Sequence, residues 1–160
     1  MIIYILAVVS VCNVIVADIV EVRECQPIDG VQVPKPAIVD IEDCQTPPCI
    51  LKRGKNTDVS FTVSPENDIQ QSSLVVIGKT MGMAKGYPGL DGSNACNIVY
   101  QMPEKTKINC PLQKDKEVMF KFSMPIKKVF PQVSLVMHSG IKDKATKKVI
   151  TCFEVDMKIV

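Results

Sequence analysis

The chain has 160 residues, the length of one domain, and its 46% hydrophobic and 22% charged content is that of a globular protein rather than a disordered one. Lys+Arg 19 against Asp+Glu 17 leaves a formal charge of +2, too small for a nucleic-acid footprint built on phosphate neutralisation. One His, no Trp and seven Cys turn attention from histidine chemistry to redox compartment.

Residues 1–17 carry no charged side chain, and an apolar run from Ile2 to Val9 is followed by smaller residues up to Val16-Ala17 before Asp18. A membrane span needs about 20 apolar residues, so the segment reads as a signal peptide cleaved after Ala17. The missing basic residue near the start and the bulky Ile15 depart from the usual pattern. Cleavage removes Cys12 and leaves six cysteines, an even set that reads as three disulfides in an exported chain. Residues 18–160 then form one domain.

Along that domain the dominant pattern is period-2 alternation, the signature of strands with one buried face. Val59, Phe61 and Val63 form the first such face, and Leu74-Val75-Val76-Ile77 is a continuous apolar run suited to a sheet centre. Val118, Phe120, Phe122 and Met124 form the next, followed by Val133, Leu135 and Met137. The last strand alternates Val149, Thr151, Phe153, Val155, Met157 and Ile159 with Cys152, Glu154, Asp156 and Lys158. Turn signals separate the runs at Asp29-Gly30, Arg53-Gly54, Ser64-Pro65-Glu66-Asn67-Asp68, Asp91-Gly92 and Ser139-Gly140. Short strands with such punctuation predict an all-β antiparallel sandwich or barrel.

Parity puts Cys25 and Cys152 on outward faces, where they can bridge if the first and last strands are neighbours. Cys44 and Cys49 bracket Gln45-Thr46-Pro47-Pro48 and are near enough to close locally, which leaves Cys96 with Cys110. A zinc site is the rival reading, but no paired CxxC and no clustered His supports it, so no metal is expected. His138 has no nucleophile motif beside it, and no catalytic residue or cofactor is expected. Asp40, Glu42 and Asp43 lack calcium-loop spacing. Lys142, Lys144, Lys147 and Lys148 flank a hairpin tip, where charge protects an edge.

Cys25-Gln26-Pro27-Ile28-Asp29-Gly30 and Cys44-Gln45-Thr46-Pro47-Pro48-Cys49-Ile50-Leu51-Lys52-Arg53-Gly54 resemble the Niemann–Pick type C2 family. The most specific match is Ile108-Asn109-Cys110-Pro111-Leu112-Gln113-Lys114-Asp115-Lys116. Met124-Pro125-Ile126, Phe130-Pro131 and Cys152-Phe153-Glu154 complete the order. The resemblance implies the ML lipid-recognition fold, an immunoglobulin-like sandwich shared with group 2 mite allergens, and points to an arthropod member. It implies the pairs Cys25–Cys152, Cys44–Cys49 and Cys96–Cys110, and a lipid held between the sheets. By position, Tyr87, Ile126 and Phe130 match the family's sterol-contact residues. Val59, Phe61, Val63, Met83, Phe120, Phe122, Met124, Leu135, Met137 and Phe153 are then expected to line the cavity, with flexible Met side chains, Met81 and Met119 among them, adapting it to different guests.

The implied function is that of a carrier without catalysis, working as a monomer, with a membrane surface or a membrane lipid receptor as a further partner. The Tyr87-Pro88-Gly89 and 124–131 segments are expected to form the cavity mouth, with Lys127 and Lys128 at its rim. Two departures bear on the ligand: no tryptophan is present, and the 97–107 segment, with Tyr100 and Met102, is longer than in vertebrate members. The chain contains no Asn-x-Ser/Thr acceptor, so secretion is expected rather than glycan-tagged lysosomal delivery. An extracellular recognition module that works through its surface, its core simply filled by Met and Phe, is the competing expectation.

Overall fold

The computed structural model describes residues 19–27 and 30–160. The expected signal peptide, residues 1–17, and Asp29 of the expected Asp29-Gly30 turn lie outside the described residues. Eleven strands follow in chain order. They are β1 (Arg23–Glu24), β2 (Val39–Ile41), β3 (Cys49–Leu51), β4 (Asn56–Val63), β5 (Ser72–Thr80), β6 (Met83–Gly86), β7 (Val99–Gln101), β8 (Thr106–Ile108), β9 (Val118–Pro125), β10 (Ser134–Asp143) and β11 (Val149–Ile159). Among the described residues the one helical turn is a 3-10 segment, Ala95–Asn97, capped by the Asn94 side chain; no helix is long and apolar enough to cross a membrane.

The strands form two sheets. One runs β1-β11-β10-β5-β6, with β3 also paired to β11; the other runs β2-β4-β9-β7-β8. The pairings are antiparallel except β3 with β11, which is parallel. The all-β two-sheet sandwich expected from the alternation is therefore the observed architecture. Register explains the core: Val59 pairs with Phe122 and Phe61 with Phe120, so the alternating side chains of β4 and β9 share one inner face. Phe153 of β11 faces them from the other sheet. Phe61 stacks on Phe120 at 5.7 Å and meets Phe153 edge-on at 5.4 Å. This aromatic group ties the two layers together.

The three disulfides are Cys25–Cys152, Cys44–Cys49 and Cys96–Cys110, the pairs that the resemblance implies. The first is possible because β1 does lie beside β11, with Glu24 opposite Phe153.

Two local expectations are corrected. Ser139-Gly140 is not a turn but the middle of β10; the chain reverses at residues 144–148. Glycine is required there by proximity, since a Cβ on Gly140 would stand 2.1 Å from the Thr151 carbonyl oxygen of β11. Val149 does not continue the inner face of β11. A register shift at Ile141/Lys142 turns it toward Cys25, Val33 and Cys152 on the outer side, while Ile150 packs on the main core. The 74–77 run does lie inside its sheet, with β5 between β10 and β6; Leu74 and Val76 are buried, and Val75 and Ile77 are half-buried on the less covered face.

Candidate ligand-binding site

The inner faces bring together most of the residues expected to line a cavity. Val59, Phe61, Val63, Phe120, Phe122, Met124, Ile126, Met137 and Phe153 belong to one continuous buried cluster, and Leu135, Tyr87 and Phe130 pack against its margin. Two buried threonines, Thr57 and Thr151, share the strand parity of these apolar side chains on β4 and β11. Val59, Phe120 and Phe153 are 0% exposed, so side chains rather than open space fill the centre in this closed form.

Met83 is a correction. It stands 67% exposed on β6, and Met81 is 90% exposed at the tip of the β5–β6 hairpin. The hairpin extends past the neighbouring strands and has no opposing sheet to cover it, so its methionines meet solvent instead of the cavity. Met119 and Tyr100 pair with each other and lie on the face opposite buried Phe120 and Val99, outside the sandwich. The 97–107 segment supplies β7 and most of β8 at the margin of that sheet, with Val99 buried in the cluster and Ile98 packed against it.

The expected mouth is a contact between the two sheets. Tyr87 follows β6, and its backbone N–H is fixed to Val76 O of β5 at 2.7 Å. Its hydroxyl donates to the Pro125 carbonyl at the end of β9, and its ring meets Phe130 edge-on at 5.9 Å. Burial raises the Tyr87 pKa above the usual phenol value, which keeps the hydroxyl a donor. The opposing segment is itself held: Ile126 N–H donates to Lys55 O at 2.8 Å, and Gly54 N–H to Ile126 O at 2.5 Å. Two separately anchored segments thus close over buried Ile126 through one hydrogen bond and one ring contact. The Pro125 acceptor was not legible in the sequence, because a backbone carbonyl carries no residue-type signal.

Lys127 and Lys128 are exposed beside the mouth, and the Lys128 stem lies over Gly54, where an added Cβ would meet its Cε at 3.1 Å. Val129 between them and Phe130 is 85% exposed. A cleft of about 360 Å³ lies at the same loop, lined by Gln132, Val133, Ser134, Lys158, Ile159 and Val160. A second, of about 230 Å³, is on the outer side of the other sheet. There Asp40, Glu42, Asp58 and Lys121 surround Val59 and Ser60. One of its three carboxylates is ion-paired: Lys121 pairs with Asp58 at 3.1 Å, and the Ser123 and Lys121 bonds hold the Asp58 carboxyl below the usual range.

His138 reaches neither cleft nor mouth. It is half-buried on the outer side of β10, against the Cys25–Cys152 bond and Glu154. The donor atoms of Cys25, His138 and Cys152 lie within 4.8 Å of one another. The two sulfurs are bonded to each other, however, and supply no thiolate for a metal.

Comparison with known proteins places this all-β sandwich. The family model described as the ML domain matches residues 19–159. The NPC intracellular cholesterol transporter 2 homolog a of Drosophila melanogaster is 30% identical over 150 residues, covering 91% of each chain. The NPC intracellular cholesterol transporter 2 of Sus scrofa is 29% identical over 143 residues, 89% of this chain and 87% of the relative. The crystal structure of a Niemann-Pick type C2 protein from Japanese carpenter ant superposes with a TM-score of 0.70 at 22% identity, over 88% of this chain and 99% of that one. The class is that of two-sheet, disulfide-stapled β-sandwiches. Within it, the chain belongs to the ML domain family.

Proposed function

We propose that this protein is a secreted carrier that holds one lipid between its two sheets and delivers it to a membrane, acting as a monomer and without catalysis. The observation that carries this reading is the apolar inter-sheet cluster, closed at the Tyr87/Phe130 end by the Tyr87–Pro125 hydrogen bond and a ring contact. An apolar guest parts such a cluster without stranding any buried polar group, whereas water gains no partners there. The two relatives above are named as cholesterol transporters, which supports a lipid cargo. Fatty acids, sterols and lipid-like semiochemicals all fit an apolar interior.

Magnitudes suit a carrier. Burying ~300 Å² of ligand apolar surface at ~25 cal/mol per Å² gives about 7 to 8 kcal/mol gross. Micromolar binding corresponds to about 8 kcal/mol, and association and the parting of side chains reduce the gross figure below that, so burial of this area alone gives binding weaker than micromolar, weak enough to release cargo.

Delivery is assigned to the end of the sandwich that bears the mouth. Met81 and Met83 project there from a hairpin tied to the start of β10 by Thr80 Oγ1 donating to Ser134 O at 3.1 Å. Val129 projects from the mouth loop, and Lys85, Lys127 and Lys128 are exposed among these apolar side chains. Exposed apolar side chains among lysines suit an anionic lipid surface. This end also suits a lysine contact with a fatty-acid carboxylate.

The filled centre favours one other reading, a recognition module that binds partners through its surface. Displacement of a fluorescent fatty-acid probe by oleate or by cholesterol, at matched free concentrations, separates the two. Displacement by either lipid supports the carrier and identifies its cargo class; failure of the probe to bind supports the module.

A further inference from the structure

A reactive cluster on the outer side of the β10–β11 pair has no part in lipid binding. His138 Nε2 lies 3.2 Å from Cys152 Sγ, and Nδ1 lies 3.5 Å from Cys25 Sγ. Nδ1 is also 3.1 Å from Glu154 Oε1, and the same oxygen takes an ion pair from Lys79 Nζ at 2.6 Å. Cys96 and Cys110 have, by contrast, only a neutral neighbour at comparable range, the Ser72 hydroxyl at 3.6 and 3.9 Å. The single histidine of the chain is thus in contact with both sulfurs of one disulfide.

We propose that Cys25–Cys152 is a thiol–disulfide exchange site for a dithiol reductant, with His138 as the acid that serves Cys152. A thiolate of the reductant attacks Cys25 Sγ, forming a mixed disulfide and breaking the Cys25–Cys152 bond. The electron pair leaves on Cys152 Sγ, which takes the proton from His138 Nε2. The reductant's second thiolate then attacks its own sulfur in the mixed disulfide and releases Cys25 as a thiol. The reductant ends as a cyclic disulfide, both cysteines end as thiols, and the two protons come from the reductant's own thiols, one of them relayed through His138. Exchange is faster when the leaving sulfur is stabilised, and Nε2, 3.2 Å from Cys152 Sγ, does that once it holds the proton taken from the reductant's thiol. Glu154 orients the ring by accepting from Nδ1–H, which leaves the Nε2 lone pair to take the reductant's proton and pass it to Cys152 Sγ.

The direction of attack follows from the cover. Cys152 is central in β11, whereas Cys25 lies beside a two-residue marginal strand under residues 30–34. That strap is held by Gln32 Nε2 donating to Cys25 O at 3.2 Å. Pro34 O also accepts from Thr151 Oγ1 at 2.9 Å and from Cys152 N at 3.2 Å. Lifting it uncovers Cys25 without opening the inter-sheet core.

The test is a timed reduction of the folded protein with dithiothreitol, each disulfide followed by alkylation and peptide mass spectrometry. Cys25–Cys152 should open first in the wild type, and His138→Gln should slow that bond about tenfold while leaving Cys96–Cys110 unchanged. A merely destabilised variant would open faster, so slowing is specific to the acid role. Should His138→Gln not fold, Glu154→Gln, which retains an acceptor but not the charge, should slow the same bond in the same sense. Wild-type kinetics in both variants, or loss of Cys25–Cys152 only together with global unfolding, would overturn the proposal.

Discussion

Glu154 shows how single side chains set the pH range of this protein. Burial opposes its charge, but the bonds from Lys79 and His138 outweigh burial and hold its carboxyl below the usual range. Arg23 does the same for Asp156, through two bonds in the open. Lowered carboxyl pKa values stabilise the fold above the unfolded-state value, and that stability is lost as pH falls through the lower folded-state value. Tm is therefore expected to be level from neutral pH to about 5 and to fall below about 4. Glu154→Gln should be about 1 to 2 kcal/mol less stable at pH 7, with the gap closing toward pH 3, as read by thermal melts. Gly140→Ala tests a different constraint. Its Cβ has no room against the Thr151 carbonyl, so the β10–β11 ladder must open, at a cost of about 2 kcal/mol or more in urea unfolding.

At the level of elements, β4 and β9 were legible because Val59, Phe61, Phe120 and Phe122 repeat every second residue and find partners of the same pattern. What the pattern could not show was an edge. Met83 has the hydrophobicity of a lining residue, but β6 runs at the margin of its sheet and its hairpin has nothing opposite. Ser139-Gly140 has turn composition, yet a glycine also answers the need of two strands that approach closely. The Tyr87–Pro125 contact was hidden for a third reason: it joins a side chain to a backbone atom across 38 residues. Two variants probe these elements. Phe61→Ala removes the ring that joins both layers and should cost about 3 to 5 kcal/mol. Met81→Ser with Met83→Ser should leave Tm unchanged, since both side chains are in solvent, and lower binding to vesicles that contain phosphatidylserine. Unchanged vesicle binding would remove this hairpin from the delivery surface.

For the molecule as a whole, the family resemblance implied the three disulfides and parity agreed with it, and their consequences differ with span. Cys25–Cys152 closes a separation of 127 residues, and the chain-entropy model assigns it about 5 kcal/mol. Cys44–Cys49 spans 5 residues and contributes about 2 kcal/mol on the same model. The role of the inner face was the least legible feature. An apolar inner face reads the same whether it packs against a ligand or against another sheet, and here the Phe61, Phe120 and Phe153 rings meet across the gap. On the proposed carrier reading, a guest separates the Tyr87 and Phe130 rings to reach them. Tyr87→Phe, which deletes only the hydroxyl that donates to Pro125, should therefore speed both uptake and release of a lipid probe in stopped-flow mixing. The most direct measurement of the central claim is native mass spectrometry of the protein after incubation with lipid vesicles. The account predicts one lipid bound per chain, lost when a competing ligand is added. A protein that stays free of lipid at every loading tested, with its fold and disulfides intact, would contradict it.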